Sequence, residues 1–216
     1  MADCFEIQLP QITSAGANLQ LADPSLVNYY EDLENRIYWL NDEITNYTFD
    51  LVQYIVRWNR EDKDIPIEER KPIRIIIDCQ GGHLSVSETL SNIIKMSKTP
   101  VYGIALGMVA SGASVIYLSC HKKYALPNSV FILHKGSCSG VSGTYDEIVS
   151  FAKDYEKQIE MLMTFYAENT NYSEEEIMEN IQTDWYIRID EAVEKGMVDT
   201  VITDIDIFCW GIRWEK

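Results

Sequence analysis

Basic side chains are scarce in this chain. Its 18 Lys+Arg stand against 34 Asp+Glu, a formal net charge of −16. No nucleic acid partner is expected, because phosphate binding needs a basic surface, and the same acidity opposes an anionic membrane surface. Cysteine is sparse as well. Cys4, Cys79, Cys120, Cys138 and Cys209 are odd in number and scattered, and no CxxC occurs, so neither a zinc ribbon nor a disulfide framework is expected. No metal site is expected. The absence of any 18-residue apolar run excludes a membrane-spanning helix. The N-terminus has no basic stretch leading into an apolar run, so the expectation is no secretory signal and a cytoplasmic protein. Phosphate-loop signatures are missing too: neither GxxxxGK[ST] nor GxGxxG appears, and no nucleotide or other cofactor is expected. Only three histidines, His83, His121 and His134, could supply an imidazole base.

What is present suits a folded domain. With 216 residues, 46% hydrophobic and 24% charged, the chain can bury a real core. Residues 1–29 read as an N-terminal arm, 30–204 as the folded domain and 205–216 as a C-terminal tail. Arg36 to Leu40 is a short strand candidate, and Ile44 to Asn59 carries apolar residues at helical spacing. Arg60 to Lys71 is charged and reads as an exposed connection. Ile73 to Ile77 is a β-branched run ending in the turn Asp78-Cys-Gln-Gly81-Gly82. An amphipathic helix over Ser85 to Lys98 precedes a strand at 100–106. Lys123 to Leu126 and Ser129 to Leu133 read as strands around Pro127-Asn128. Tyr145 to Asn169 is the longest helix signal, and Ser173-Glu-Glu-Glu176 is a capping-box start for another. Asp190 to Lys195 is a short helix closed by Gly196, and Val198 to Ile202 is a last strand. Strands alternating with crossover helices predict an α/β fold with a largely parallel sheet.

The most informative segment is Gly107-Met-Val-Ala-Ser111-Gly-Ala-Ser-Val-Ile116. A buried strand breaks at Gly107, and small residues lead into a helix start. A serine at such a junction sits where backbone N–H groups converge, a suitable place for a nucleophile whose reaction develops an oxyanion. Helix-on-sheet packing would also account for the small residues. Gly81-Gly82 could offer N–H groups to a ligand, or simply be a tight turn. His134 ends an apolar strand and could enter a cleft from a rigid element; His83 follows the glycine turn, and His121 lies in a polar stretch beside Lys122 and Lys123. Spacing does not select an acid among 34 carboxylates.

Taken in order, these segments resemble the proteolytic subunit of the Clp protease, a family of serine peptidases with a crotonase-like α/β fold. Ile77-Asp-Cys-Gln-Gly81-Gly82 sits at the family's strand and glycine-rich turn, and Gly107-Met-Val-Ala-Ser111 matches its nucleophile motif. Leu126-Pro-Asn-Ser129 with Val130-Phe-Ile-Leu-His134 matches the strand leading to the family's histidine. Asp184, followed by Glu191-Ala-Val-Glu-Lys-Gly196-Met-Val-Asp199, matches the acid and the signature behind it. The resemblance implies Ser111 as nucleophile, His134 as general base, Asp184 as the carboxylate orienting it, and the N–H groups of Gly82 and Gly112 as an oxyanion hole. It further implies a strand-and-helix handle from Gly140 to Tyr155, a homo-oligomer of two stacked heptameric rings, peptide and unfolded-protein substrates, and a separate AAA+ unfoldase.

The departures are specific. Gly112 stands where the family has methionine, which implies a wider, less apolar pocket for the residue before the cut, and Ser137 points the same way. Gln80 replaces a proline, and Lys135-Gly136 replaces a glutamine–proline pair. Arg74 and Ile76 replace aromatic residues of the unfoldase docking cleft, where the aromatic run Ile207-Phe208-Cys209-Trp210 could compensate. Residues before Tyr30 and the insert from Ile65 to Lys71 have no clear counterpart. These differences suggest a divergent member, such as a phage-encoded or accessory subunit. A phage head-maturation protease, a catalytically silent ring subunit and an acyl-CoA enzyme of crotonase type are the alternatives.

Overall fold

The structure is a computed structural model that describes residues 24–205 and Phe208. Most of the expected arm, and Ile207, Cys209 and Trp210 of the expected tail, lie outside the described residues. The chain divides after Asn35 into two units. In the first, helix α1 spans Pro24–Glu34. The second contains β1 (Ile37–Leu40), α2 (Phe49–Glu61), β2 (Ile73–Cys79), α3 (Leu84–Met96), β3 (Val101–Ala110), α4 (Gly112–Leu118) and β4 (Lys122–Ala125). It continues with β5 (Val130–Leu133), α5 (Tyr145–Asn169), α6 (Glu174–Asn180), β6 (Trp185–Arg188), α7 (Ile189–Glu194) and β7 (Thr200–Val201). No helix among the described residues is long and apolar enough to cross a membrane.

One sheet organises the second unit. Strands β1-β2-β3-β4-β7 lie side by side and parallel, β5 joins β3 in parallel, and β6 closes on β5 antiparallel. The sheet is largely parallel, as the alternation of strands and helices predicts. Its central strands are continuous apolar runs rather than alternating ones: Ile73, Ile75, Ile76 and Ile77 of β2 are all buried. That pattern belongs to a sheet covered on both faces.

Strand β3 differs from the sequence expectation in a way that matters for the site. It does not end at Gly107 but continues to Ala110 through an irregularity. Tyr102 to Ala105 run beside β4, whereas Met108 to Ala110 run beside β5. On its other edge Ile77 faces Ala105 but Cys79 faces Val109, so the register against β2 slips at the same place. Gly107 marks a bulge, a feature that bends one strand relative to its partner.

Helix α5 begins at a reciprocal cap, with Thr144 and Glu147 bonding each other's backbone N–H, and α6 begins on the same motif from Ser173 and Glu176. The large apolar residues of α5 divide between core and surface. Leu162 and Tyr166 are buried, while Tyr145, Ile148, Phe151 and Met161 are exposed. The strand of the expected handle is not formed in the single chain: residues 134–144 carry no strand, and none of the described strands pairs with them. Strand backbone needs a neighbour for its N–H and C=O groups.

The connection from Arg60 to Lys71 is not wholly exposed, because Asp62 and Arg70 are buried. Both guanidinium N–H groups of Arg36 donate to Asp62, at 2.6 and 2.7 Å, and Thr99 Oγ donates to it at 2.8 Å. These bonds join the start of β1, the end of α2 and the entry to β3. Burial alone would raise the Asp62 pKa, but the Arg36 and Thr99 hydrogen bonds and the charges of Arg36 and Arg70 hold it below the ordinary carboxylate value. A depressed pKa contributes stability above the unfolded carboxylate range, about 4, and loses it as pH falls through the folded value. Asp62→Asn should therefore destabilise the protein by about 1–3 kcal/mol at pH 7, since it weakens the charged hydrogen bonds of Arg36 and leaves it only the longer contact to Glu61, at 3.8 Å, as an ion pair. In denaturant titrations the gap between variant and wild type should narrow below about pH 4.

Candidate active site

Strand ends assemble the site. Ala110 of β3 pairs with Ile132 of β5, and the next N–H along, that of Ser111, donates to the Ile132 carbonyl at 2.9 Å. Leu133, the last residue of β5, pairs with Trp185, the first of β6. One step further along this antiparallel pair, His134 meets Asp184. Strand register therefore delivers all three side chains to one edge of the sheet. Ser111 Oγ lies 2.6 Å from His134 Nε2, and His134 Nδ1 lies 3.3 Å from Asp184 Oδ1. The imidazole is half-buried, whereas Asp184 is 56% exposed. With Nδ1–H turned to the carboxylate, Nε2 is free to accept the serine hydroxyl proton. Ser111 itself holds φ 54° and ψ −125°, a backbone region that costs on the order of 1–3 kcal/mol for a non-glycine residue. Such strain persists where surrounding bonds over-determine it, and the bond to Ile132 is one of them.

The glycine turn after β2 lies against this junction. Gly81 has φ +102°, and a Cβ there would come within 2.7 Å of both the Ala110 carbonyl oxygen and Ser111 Cβ. Gly82 would meet the Ile44 carbonyl. Only glycine permits both the conformation and the approach. The turn is braced from the segment before α2: Ile44 N–H donates to Gly81 O at 2.8 Å, and His83 N–H returns to Ile44 O at 2.9 Å. Cys79 adds a third tie, accepting from Gly81 N–H at 3.3 Å and donating to Asp42 O at 3.0 Å. Burial raises the Cys79 pKa, so the thiol keeps the proton that this last bond needs.

Gly112 opens α4 directly after Ser111 and is buried. The space where its side chain would begin faces α3. A methyl group at Gly112 would overlap Ser87 Oγ, which is completely buried on α3 and donates to His83 O at 3.1 Å. Ser87 thus occupies the space that a side chain at position 112 would take. Gly112→Met should destabilise the protein by about 1–3 kcal/mol through overpacking. Adding Ser87→Gly should recover most of that loss in a thermal melt, and no recovery would show that the two positions are not coupled.

The other histidines stand apart from this chain of contacts. His83 precedes α3 at its N-terminus. His121 Nδ1 accepts from Val101 N–H at 3.0 Å, and burial holds its pKa below the ordinary value. Sequence reading did not find the contributions of Ile44 and Ser87, nor strand β6, which begins directly after Asp184. For β6 a signal existed in the run Trp185-Tyr-Ile-Arg188. For the others none did, because their partners lie 20 to 40 residues away and act through backbone atoms.

A hydroxyl, an imidazole and a carboxylate in sequential contact, set beside a glycine turn at the carboxyl edge of a parallel sheet, place the chain among the serine peptidases. Comparison with known proteins narrows the class. The family described as Clp protease matches residues 25–204, and the chain belongs to that family. It is 34% identical over 133 residues to an ATP-dependent Clp protease proteolytic subunit 2 of Treponema denticola, covering 61% of this chain and 66% of that one. A subunit of the same description from Treponema pallidum is 29% identical over 178 residues, 82% of this chain and 86% of its own. A solved structure of a ClpP1 mutant from Listeria monocytogenes superposes with a TM-score of 0.70 at 26% identity, covering 83% of this chain and 98% of that one.

Proposed function

We propose that the chain is the proteolytic subunit of a Clp-type protease, a serine endopeptidase in which Ser111 is the nucleophile, His134 the general base and Asp184 the orienting acid. The observation that carries this reading is the 2.6 Å contact between Ser111 Oγ and His134 Nε2. Ser111 Oγ attacks a peptide carbonyl while His134 takes its proton. Asp184 fixes the Nδ1–H tautomer and stabilises the imidazolium. The tetrahedral oxyanion is received by the N–H groups of Gly82 and Gly112; the latter opens a helix, whose first N–H groups have no intrahelical partner. His134 returns the proton to the leaving amine, and water then hydrolyses the acyl-enzyme by the same route. In this reading residues 30–204 form the peptidase domain, 1–29 an arm and 205–216 a tail.

The proposal extends to assembly. The exposed apolar residues Tyr145, Ile148, Phe151 and Met161 on α5 are more than a solitary domain needs and support self-association; the assembly would be a homo-oligomer of two stacked heptameric rings, in the cytoplasm. Substrates would be peptides and unfolded proteins. A separate AAA+ unfoldase would dock at the apolar cleft formed by Leu106, Leu126, Pro127, Ile202 and Phe208. Arg74 donates to the carbonyl of Phe208, one of the residues lining that cleft, at 3.3 Å.

Two outcomes are expected. Ser111→Ala should reduce cleavage of a short acyl-peptide by on the order of 10⁶-fold with the fold retained; turnover within tenfold of wild type would refute the assignment. Light scattering at micromolar concentration should give a mass many times the 24.9 kDa of one chain, and a monodisperse monomer would contradict the ring.

A further inference from the structure

We propose that Asp78 is a positioning residue for the peptidase centre, a side-chain clamp that fixes where β3 passes from β4 to β5; the proposal rests on the reading of Ser111 and His134 above. From Ile77 to Cys79 strand β2 advances two residues, while β3 advances four, from Ala105 to Val109. A bulge of this kind takes backbone groups out of the ladder and leaves them needing other partners. Asp78, the β2 residue at the slip, supplies one: its Oδ1 accepts from the Met108 N–H at 2.8 Å. The same oxygen lies 2.8 Å from where a Cβ on Gly107 would sit, so the carboxylate covers that residue and only glycine leaves it room.

Met108 is the first β3 residue to pair with β5, opposite Val130. Ser111 follows three residues later, and the contact between Ser111 and His134 is counted from that pairing. In the other direction Gly81 follows Asp78 by three residues. One side chain thus ties the strand that carries the nucleophile to the strand that carries the glycine turn. Asp78 is exposed, so removing its carboxylate takes nothing from the core. Its effect would be on geometry, where a displacement of about 1 Å can cost on the order of a hundredfold in rate.

The test compares the full-length wild type with Asp78→Ala, Asp78→Asn, Gly107→Ala and the double variant Asp78→Ala/Gly107→Ala. For each, kcat and KM on a short acyl-peptide and the rate of fluorophosphonate inactivation are measured. Asp78→Ala should lower kcat and the inactivation rate at least fivefold with KM within twofold, and Asp78→Asn should recover most of the loss because its Oδ1 still accepts a hydrogen bond. Gly107→Ala should be at least fivefold slower alone yet add less than twofold to Asp78→Ala, since the clash goes with the carboxylate. Gly107→Ala carries the test if Asp78→Ala does not fold. Wild-type rates in Asp78→Ala, equal losses in Asp78→Ala and Asp78→Asn, or wild-type rates in Gly107→Ala would each overturn the clamp. If the labelled wild type is matched by an equally labelled Asp78→Ala, only the positioning role fails. If the wild type takes no label, the peptidase reading fails and the positioning role with it.

Discussion

Strand β3 has two successive neighbours along one edge, and the site is assembled from the point where it changes between them. Beside β4 the strand is ordinary sheet interior, with Gly103 and Ala105 paired to Lys123 and Ala125. Past the bulge it lies between Cys79 of β2 and the first residues of β5. That second half is what brings the end of β3 to the end of β5. Had the strand stopped at Gly107, Ser111 would have no register with Ile132, and His134 would have no fixed distance to it. The glycine turn then closes over the junction, at a separation that excludes any Cβ at Gly81.

This arrangement concentrates cost in a small volume and offsets it with bonds nearby. Ser111 and Gly81 hold positive φ values, and Gly112 starts a helix pressed against Ser87. Around them the backbone groups are tied down one by one: Ile44 to Gly81, His83 to Ile44, Ser111 to Ile132. Short polar side chains extend the same pattern, with Ser114 Oγ donating to Val109 O at 2.9 Å and Ser129 Oγ donating to Ala105 O at 3.0 Å. Preorganisation of this kind places donors before charge develops, so that little reorganisation is needed at the moment of reaction. The opposite rim, where Asp184 is more than half exposed and 3.3 Å from its histidine, is the loosest part of the site. Contacts of this length are common before substrate is bound.

Legibility in the sequence followed the range of the interactions. Helix α5 was readable over its length because its apolar residues recur with helical period. The buried strands β2 and β5 and the first half of β3 were readable from β-branched and apolar runs, whereas the continuation of β3 past Gly107 was not. Ser111, His134 and Gly82 stood out because each sits at a strand end. Elements whose identity depends on a distant partner were hidden. Strand β6 is four residues of mixed polarity, with Tyr186 exposed and Ile187 buried, and it exists because β5 offers an edge. Asp62 looked solvated until Arg36, 26 residues earlier, came to meet it. The start of α2 shifted from Ile44 to Phe49 because Ile44 is drawn out to brace the glycine turn. Gly112 looked like lost bulk, and the space is filled by a serine 25 positions before it.

The central claim is that Ser111 acts as a nucleophile activated by His134, and covalent labelling addresses it most directly. The full-length protein should be treated with a fluorophosphonate, digested and mapped by mass spectrometry, alongside His134→Ala. The account predicts a stoichiometric adduct on Ser111 in the wild type, and in the variant a labelling rate lower by at least a hundredfold. An adduct on another residue, or undiminished labelling of Ser111 without His134, would contradict it.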